Sequence, residues 1–148
     1  MQPSNDILGF LKLQESFKDK AYKPLPDDKW TIGFGFTHML DKPIKEGDVI
    51  TYQDASQCLM FLAVNVAKQI NAAGIPNIPQ RQFDAVLSLV YNIGIGNFTP
   101  STTAKMYYAG QNISERFVKW NLFQGKPCQG LTNRRIREKN VYDNGIYG

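Results

Sequence analysis

Three acids and a hydroxyl stand near the start of this chain. Glu15 is followed by Asp27, Asp28 and Thr31. Such a set can break a glycosidic bond. One carboxylic acid protonates the leaving oxygen, while a carboxylate and a hydroxyl opposite hold the attacking water. A proton donor has to stay protonated, and desolvation favours that by penalising the charged form. Phe10, Leu11 and Leu13 precede Glu15 and are the apolar neighbours expected to desolvate it. Spacing alone does not separate this set from an ordinary acidic surface turn. Other chemistries find less support. His38 is the only histidine, which excludes a multi-histidine zinc site and disfavours a serine–histidine triad. Cys58 and Cys128 lack metal spacing, and no glycine-rich phosphate loop with a following lysine is present.

The elements that must position these residues can be read from periodicity. Asn5 or Ser4 caps a first helix, whose face is Ile7, Phe10, Leu11 and Gln14 and which should end near Phe17 to Lys20. Pro24, Pro26, Asp27 and Asp28 bring turn chemistry. Residues 30–37, rich in β-branched and aromatic side chains with interspersed glycines, read as a strand. A β-rich lobe is therefore expected over about 18–52. A long helix over about 54–73 carries the stripe Ala55, Cys58, Leu59, Leu62, Ala63, Val66 and Ile70, and Gly74 and Pro76 stop it. Pro79 opens the next helix, with Phe83, Val86, Leu87 and Val90 on its face, and Asn92 to Gly96 ends it. A short helix runs from Ser101 through Tyr108, Trp120 reads as core, and Thr132 or Asn133 caps a last basic helix ending before Gly145. The fold class is α+β: one domain over 1–148, with a sheet lobe, a bridging helix and a helical lobe over about 74–148.

Length and charge bound the partners. The chain has 148 residues, 17 basic against 13 acidic, giving a formal net charge of +4. Residues 104–148 hold 8 bases and 3 acids, a patch that attracts polyanions or only aids solubility. The run Ile7 to Leu11 is too short for a signal-peptide core. The uncharged stretch from Ala85 to Ala104 is interrupted by Asn92, Gly94, Gly96 and Pro100. A soluble chain without stable membrane insertion or an export signal of its own is expected.

The residues around the acids carry a more specific signal. The run Glu15 to Tyr22, followed by Trp30-Thr31-Ile32-Gly33-Phe34-Gly35, resembles the active-site segment of the phage-type lysozymes, the endolysins of glycoside hydrolase family 24. Gln82-Phe83-Asp84-Ala85-Val86 with Asn92-Ile93-Gly94 resembles a second family segment. Trp120-Asn121 and Gly130-Leu131-Thr132-Asn133-Arg134-Arg135 resemble two more. The likeness spans residues 7 to about 142.

That resemblance implies a lysozyme-like fold and hydrolysis of the β-1,4 bond between N-acetylmuramic acid and N-acetylglucosamine in bacterial peptidoglycan. It implies Glu15 as general acid, Thr31 as the residue helping position water, and Tyr22 as a cleft tyrosine. Phe34, Asn92 and Arg134 join Tyr22 as candidate substrate contacts, although Phe34 and Phe36 also suit a core. Arg134 or Arg135 lies where the family often pairs an arginine with the catalytic glutamate. Two positions depart from the family pattern. Pro24 stands nine residues after Glu15, where an aspartate is usual, so the second carboxylate falls to Asp27, to Asp28, or to neither. Phe36 stands where a histidine is common, with His38 two residues later. An inverting mechanism, no metal or organic cofactor, no nucleic-acid partner and a monomer are expected. Synthesis would be in the host cytoplasm, with release by a holin to act in the periplasm. Lys119, Lys126, Arg134, Arg135, Arg137 and Lys139 would steer the protein to acidic wall polymers. Cys58 reads as a small buried apolar residue, and its pairing with Cys128 stays open. A lytic transglycosylase acting on the same bond, or a non-catalytic basic wall-binding module, are the alternatives.

Overall fold

The computed structural model describes residues 1–39 and 41–148. The chain divides into two compact units. One comprises Leu11–Leu62, the other Met1–Phe10 with Ala63–Gly148. The boundaries fall inside helix α1 (Asn5–Glu15) and helix α2 (Tyr52–Asn71).

Ser4 caps α1: its hydroxyl accepts the Ile7 N–H at 3.1 Å, satisfying an orphan donor of the first turn. Ile7, Phe10 and Leu11 are buried as the period requires. The helix stops at Glu15, earlier than expected, because Ser16 takes a left-handed backbone (φ 56°) and Phe17 leads into strand β1 (Lys18–Tyr22). β1 pairs antiparallel with β2 (Thr31–Gly33), in a register that sets Tyr22 opposite Thr31 and Lys18 opposite Gly33. The expected strand over 30–37 is only three residues long, because Gly33 and Gly35 are both left-handed (φ 66° and 90°) and turn the chain. Phe36 returns as a single bridge to Ile32. A further short hairpin pairs β3 (His38–Met39) with β4 (Lys42–Pro43). The N-terminus of α2 is capped by Thr51, whose hydroxyl accepts the Asp54 N–H. Ala55, Leu59, Ala63, Ala67 and Ile70 form the buried stripe of α2, while Cys58, Leu62 and Val66 sit at its margin.

The larger unit is helical. Helix α3 (Gln80–Ile93) is capped by Pro79 rather than starting on it, and Gly94 ends it (φ 87°). Every residue from Phe83 to Val90 is buried, so α3 is surrounded by protein. Helices α4 (Ile95–Phe98) and α5 (Thr102–Tyr108) follow, then a 3₁₀ turn over Ser114–Lys119. Strands β5 (Leu122–Phe123) and β6 (Lys126–Pro127) form a hairpin. Helix α6 (Gln129–Asn144) packs on α3 and ends at the left-handed Gly145. It begins before Thr132 and Asn133, which lie inside it, because Cys128 adopts the extended cap conformation. Trp120 is half-buried rather than core, its Nε1 donating to Thr103 Oγ1 at 3.2 Å.

Burying α3 on all sides forces its polar residues to find partners. Asp84 is fully buried and accepts from Ser4 N and Oγ, Gln80 Nε2 and Tyr147 Oη. One carboxylate thus ties the N-terminal segment, α3 and the C-terminal segment together. Burial, with the adjoining Asp84 carboxylate, pushes the Tyr147 phenol up. Asp84→Ala strands these donors and is expected to cost about 3 kcal/mol. Urea unfolding of the folded variant against the parent reads this directly.

Candidate active site

The site builds up from the smaller unit. Glu15 is the last residue of α1 and is half-buried. Its side chain reaches the Gly35 turn: a Cβ placed on Gly35 would lie 3.3 Å from Glu15 Oε2. Leu13, expected among its desolvating neighbours, points to solvent with 72% of its surface exposed, whereas Phe10 and Leu11 are buried. The helical period explains this, since residue 13 lies off the stripe of 7, 10 and 11.

Thr31 and Tyr22 are brought together by the β1–β2 register. Thr31 is only 7% exposed, and its hydroxyl donates to the Lys29 carbonyl at 3.0 Å. That bond fixes the rotor and directs the remaining lone pairs of Oγ1 away from the backbone. Tyr22 is half-buried. Asp27 and Asp28 are exposed on the loop between the two strands, where the Asp28 N–H closes a turn onto Leu25 O. Pro24 lies on the same exposed loop, and Lys23 sits over the Trp30 ring at 5.2 Å.

Phe34 is not available as a substrate contact. It is 2% exposed, and its ring packs against Phe17, Tyr52 and Phe36 at centroid distances of 5.5, 5.7 and 6.3 Å. An aromatic pair of this kind contributes about 0.5–1.5 kcal/mol beyond its buried area. Phe36 is buried as well, so an apolar ring fills the position where the family commonly has histidine. His38 is exposed, its Nδ1 3.1 Å from Thr37 Oγ1.

In the helical unit, Asn92 is exposed at the end of α3 and lines a groove of about 590 Å³. Lys119, Trp120, Leu122 and Phe123 also line it. Arg134 and Arg135 are buried on α6 and converge on Glu138, which is fully buried. The Ser88 hydroxyl donates to Glu138 Oε2, linking α6 to α3. Burial, the largest influence, pushes the Glu138 carboxyl up, against the pull of the two guanidiniums and of Ser88. Sequence reading missed Glu138, yet its spacing of three and four residues from the arginines is the helical ion-pair signal. Because Arg134 and Arg135 are buried, they drop out of the expected steering surface. Lys139 is held by Asp143 and Glu115, which leaves Lys119, Lys126 and Arg137 from the expected set. Cys58 and Cys128 are free thiols, both half-buried, and burial pushes the Cys58 thiol up. Among the described residues, no group of three or more His, Cys, Asp or Glu is placed to hold a metal, and no helix is long and apolar enough to cross a membrane.

Comparison with known proteins identifies the fold and the family. A solved endolysin from Escherichia coli O157:H7 phage FAHEc1 superposes with a TM-score of 0.88 at 33% identity, covering 100% of this chain and 97% of that one, so the fold is lysozyme-like. An endolysin of Acyrthosiphon pisum secondary endosymbiont phage 1 is 36% identical over 97% of this chain and 99% of its own length. An endolysin of Bacillus phage PZA is 32% identical over 98% of this chain, which spans 56% of that relative's length. The phage lysozyme profile matches residues 12–138. The chain belongs to the phage lysozyme family of glycoside hydrolases.

The buried Arg134–Arg135–Glu138 cluster makes a stability prediction. Glu138→Ala leaves two guanidiniums in the interior without that carboxylate and should cost about 3–5 kcal/mol. Thermal or urea unfolding monitored by circular dichroism checks it, and a loss below about 1 kcal/mol would contradict the assignment.

Proposed function

We propose that the protein is an endolysin that hydrolyses the β-1,4 bond between N-acetylmuramic acid and N-acetylglucosamine of bacterial peptidoglycan. The observation that carries this reading is local. The Glu15 carboxylate lies at the Gly35 turn, two residues beyond the strand that holds Thr31. The family membership of residues 12–138 supports it. Glu15 donates its proton to the departing glycosidic oxygen. Thr31 Oγ1, its own proton engaged by Lys29 O, accepts a hydrogen bond from water and leaves a water lone pair free to attack the anomeric carbon. Asp27 or Asp28 takes the proton from that water.

A water between acid and base requires carboxyl groups roughly 6.5–9.5 Å apart and produces inversion at the anomeric carbon. Tyr22 and Asn92 contact the sugar chain, and no metal takes part in the chemistry. The protein acts as a monomer. It accumulates in the host cytoplasm and reaches the periplasmic wall after a holin opens the membrane.

Glu15→Gln, folded by circular dichroism, should lower the clearing rate of permeabilised Gram-negative cells by at least about 10³-fold, since it removes the proton donor. Lysis retained by that variant would overturn the acid assignment. Asp27→Asn and Asp28→Asn are assayed separately, and one of them should fall by about 10²-fold. Near-normal rates in both would move water activation onto Thr31 alone. Binding to walls without any clearing by the parent protein would instead identify a wall-binding module.

A further inference from the structure

Two features beside Glu15 remain unexplained by the chemistry itself. The first is Gly35. Its backbone is left-handed (φ 90°), and a Cβ there would sit 3.3 Å from Glu15 Oε2, closer than an ordinary contact. Gly35 is exposed while Glu15 is half-buried. A methyl group at this position would therefore press directly on the carboxylate. The second is the ring contact between Phe17 and Phe34 at 5.5 Å. Phe17 lies two residues after Glu15, beyond the left-handed Ser16, and Phe34 immediately precedes Gly35. Tyr52 closes the cluster, 5.2 Å from Phe17 and 5.7 Å from Phe34. The segment that bears the acid and the turn that faces it are pinned to each other at this point.

We propose that Gly35 and the Phe17–Phe34 contact are positioning elements that set the height and accessibility of the Glu15 carboxylate. This rests on Glu15 being the proton donor. Neither element touches substrate; each acts through Glu15. A carboxylate displaced by a fraction of an ångström from its line to the leaving oxygen loses rate rather than affinity, because the misalignment matters only as the proton moves.

The structure supplies a matched control. Gly47 has φ 89°, nearly the φ of Gly35, but nothing lies within 4 Å of a Cβ placed there. Gly35→Ala and Gly47→Ala thus carry the same left-handed strain, and only the first adds a methyl group against Glu15. With a soluble peptidoglycan fragment as substrate, Gly35→Ala should lower kcat about tenfold or more, with KM within about twofold. Gly47→Ala should show a similar fall in Tm with kcat and KM unchanged. Phe34→Leu should lower kcat in the same way, whereas Phe98→Leu, an equally buried ring of the other unit, should cost Tm without changing kcat of the folded fraction.

Equal losses of kcat in Gly35→Ala and Gly47→Ala, or an unchanged kcat in Gly35→Ala, would overturn the proposal. If Gly35→Ala fails to fold, Phe34→Leu decides, and a kcat no lower than that of Phe98→Leu counts against it. Glu15→Gln, run in parallel, separates the two ideas. Its retained activity would refute the donor assignment, whereas its inactivity beside a normal Gly35→Ala refutes only the positioning.

Discussion

The arrangement depends on holding one carboxyl group at the end of a helix, where backbone order is weakest. Helix ends fray, and a side chain at the last position inherits that freedom. Here α1 stops at Glu15 because Ser16 is left-handed, at an energetic cost for a residue with a Cβ. The chain is then caught at once by the ring of Phe17 on Phe34 and Tyr52. Burial of aromatic surface offsets the backbone strain within two residues of the group it positions. The same cluster accompanies a short β2: Gly33 and Gly35 take left-handed backbones, and Phe34 between them is buried.

The helical unit solves a different problem. Burying α3 on all sides from Phe83 to Val90 takes Asp84 and Ser88 out of water. Each is satisfied by a partner distant in sequence: Ser4 and Tyr147 for Asp84, Glu138 for Ser88. Polar groups that can be satisfied in only one arrangement specify that arrangement, so these bonds fix how the chain termini and α6 meet α3. The cluster on α6 also changes the electrostatics. Two of the bases in the basic C-terminal stretch are interior cations committed to Glu138. Lys119 and Lys126 stay exposed, so any field they set up is screened by salt.

Much of this was legible from the residues, for reasons that differ by element. The stripes of α1, α2 and α3 were visible because a helix repeats its apolar positions every three to four residues. The end of α1 was not, because it depends on a left-handed serine that carries no sequence signal. The strand over 30–37 was overestimated because aromatic content mimics β propensity, while the two glycines break the pleat. Glu15 and Thr31 stood out through motif rather than periodicity. Phe34 suits either a cleft or a core from the residues alone, because a strand aromatic gives no hint of which face it takes until its neighbours are known. Asp84, within a family-like motif, gives no sign of being a hub, since a partner lies 80 residues away, whereas Glu138 carries the i,i+3 and i,i+4 spacing to its arginines and only its bond from Ser88 is distant in sequence.

In the proposed reaction a single proton donor works with an activated water on the opposite side of the sugar. The anomeric configuration of the first product tests this most directly. Proton nuclear magnetic resonance of a defined peptidoglycan oligosaccharide, recorded within the first turnovers, should show the α-anomer of the new reducing end appearing before mutarotation. Initial appearance of the β-anomer, or of a 1,6-anhydro product, would contradict the account.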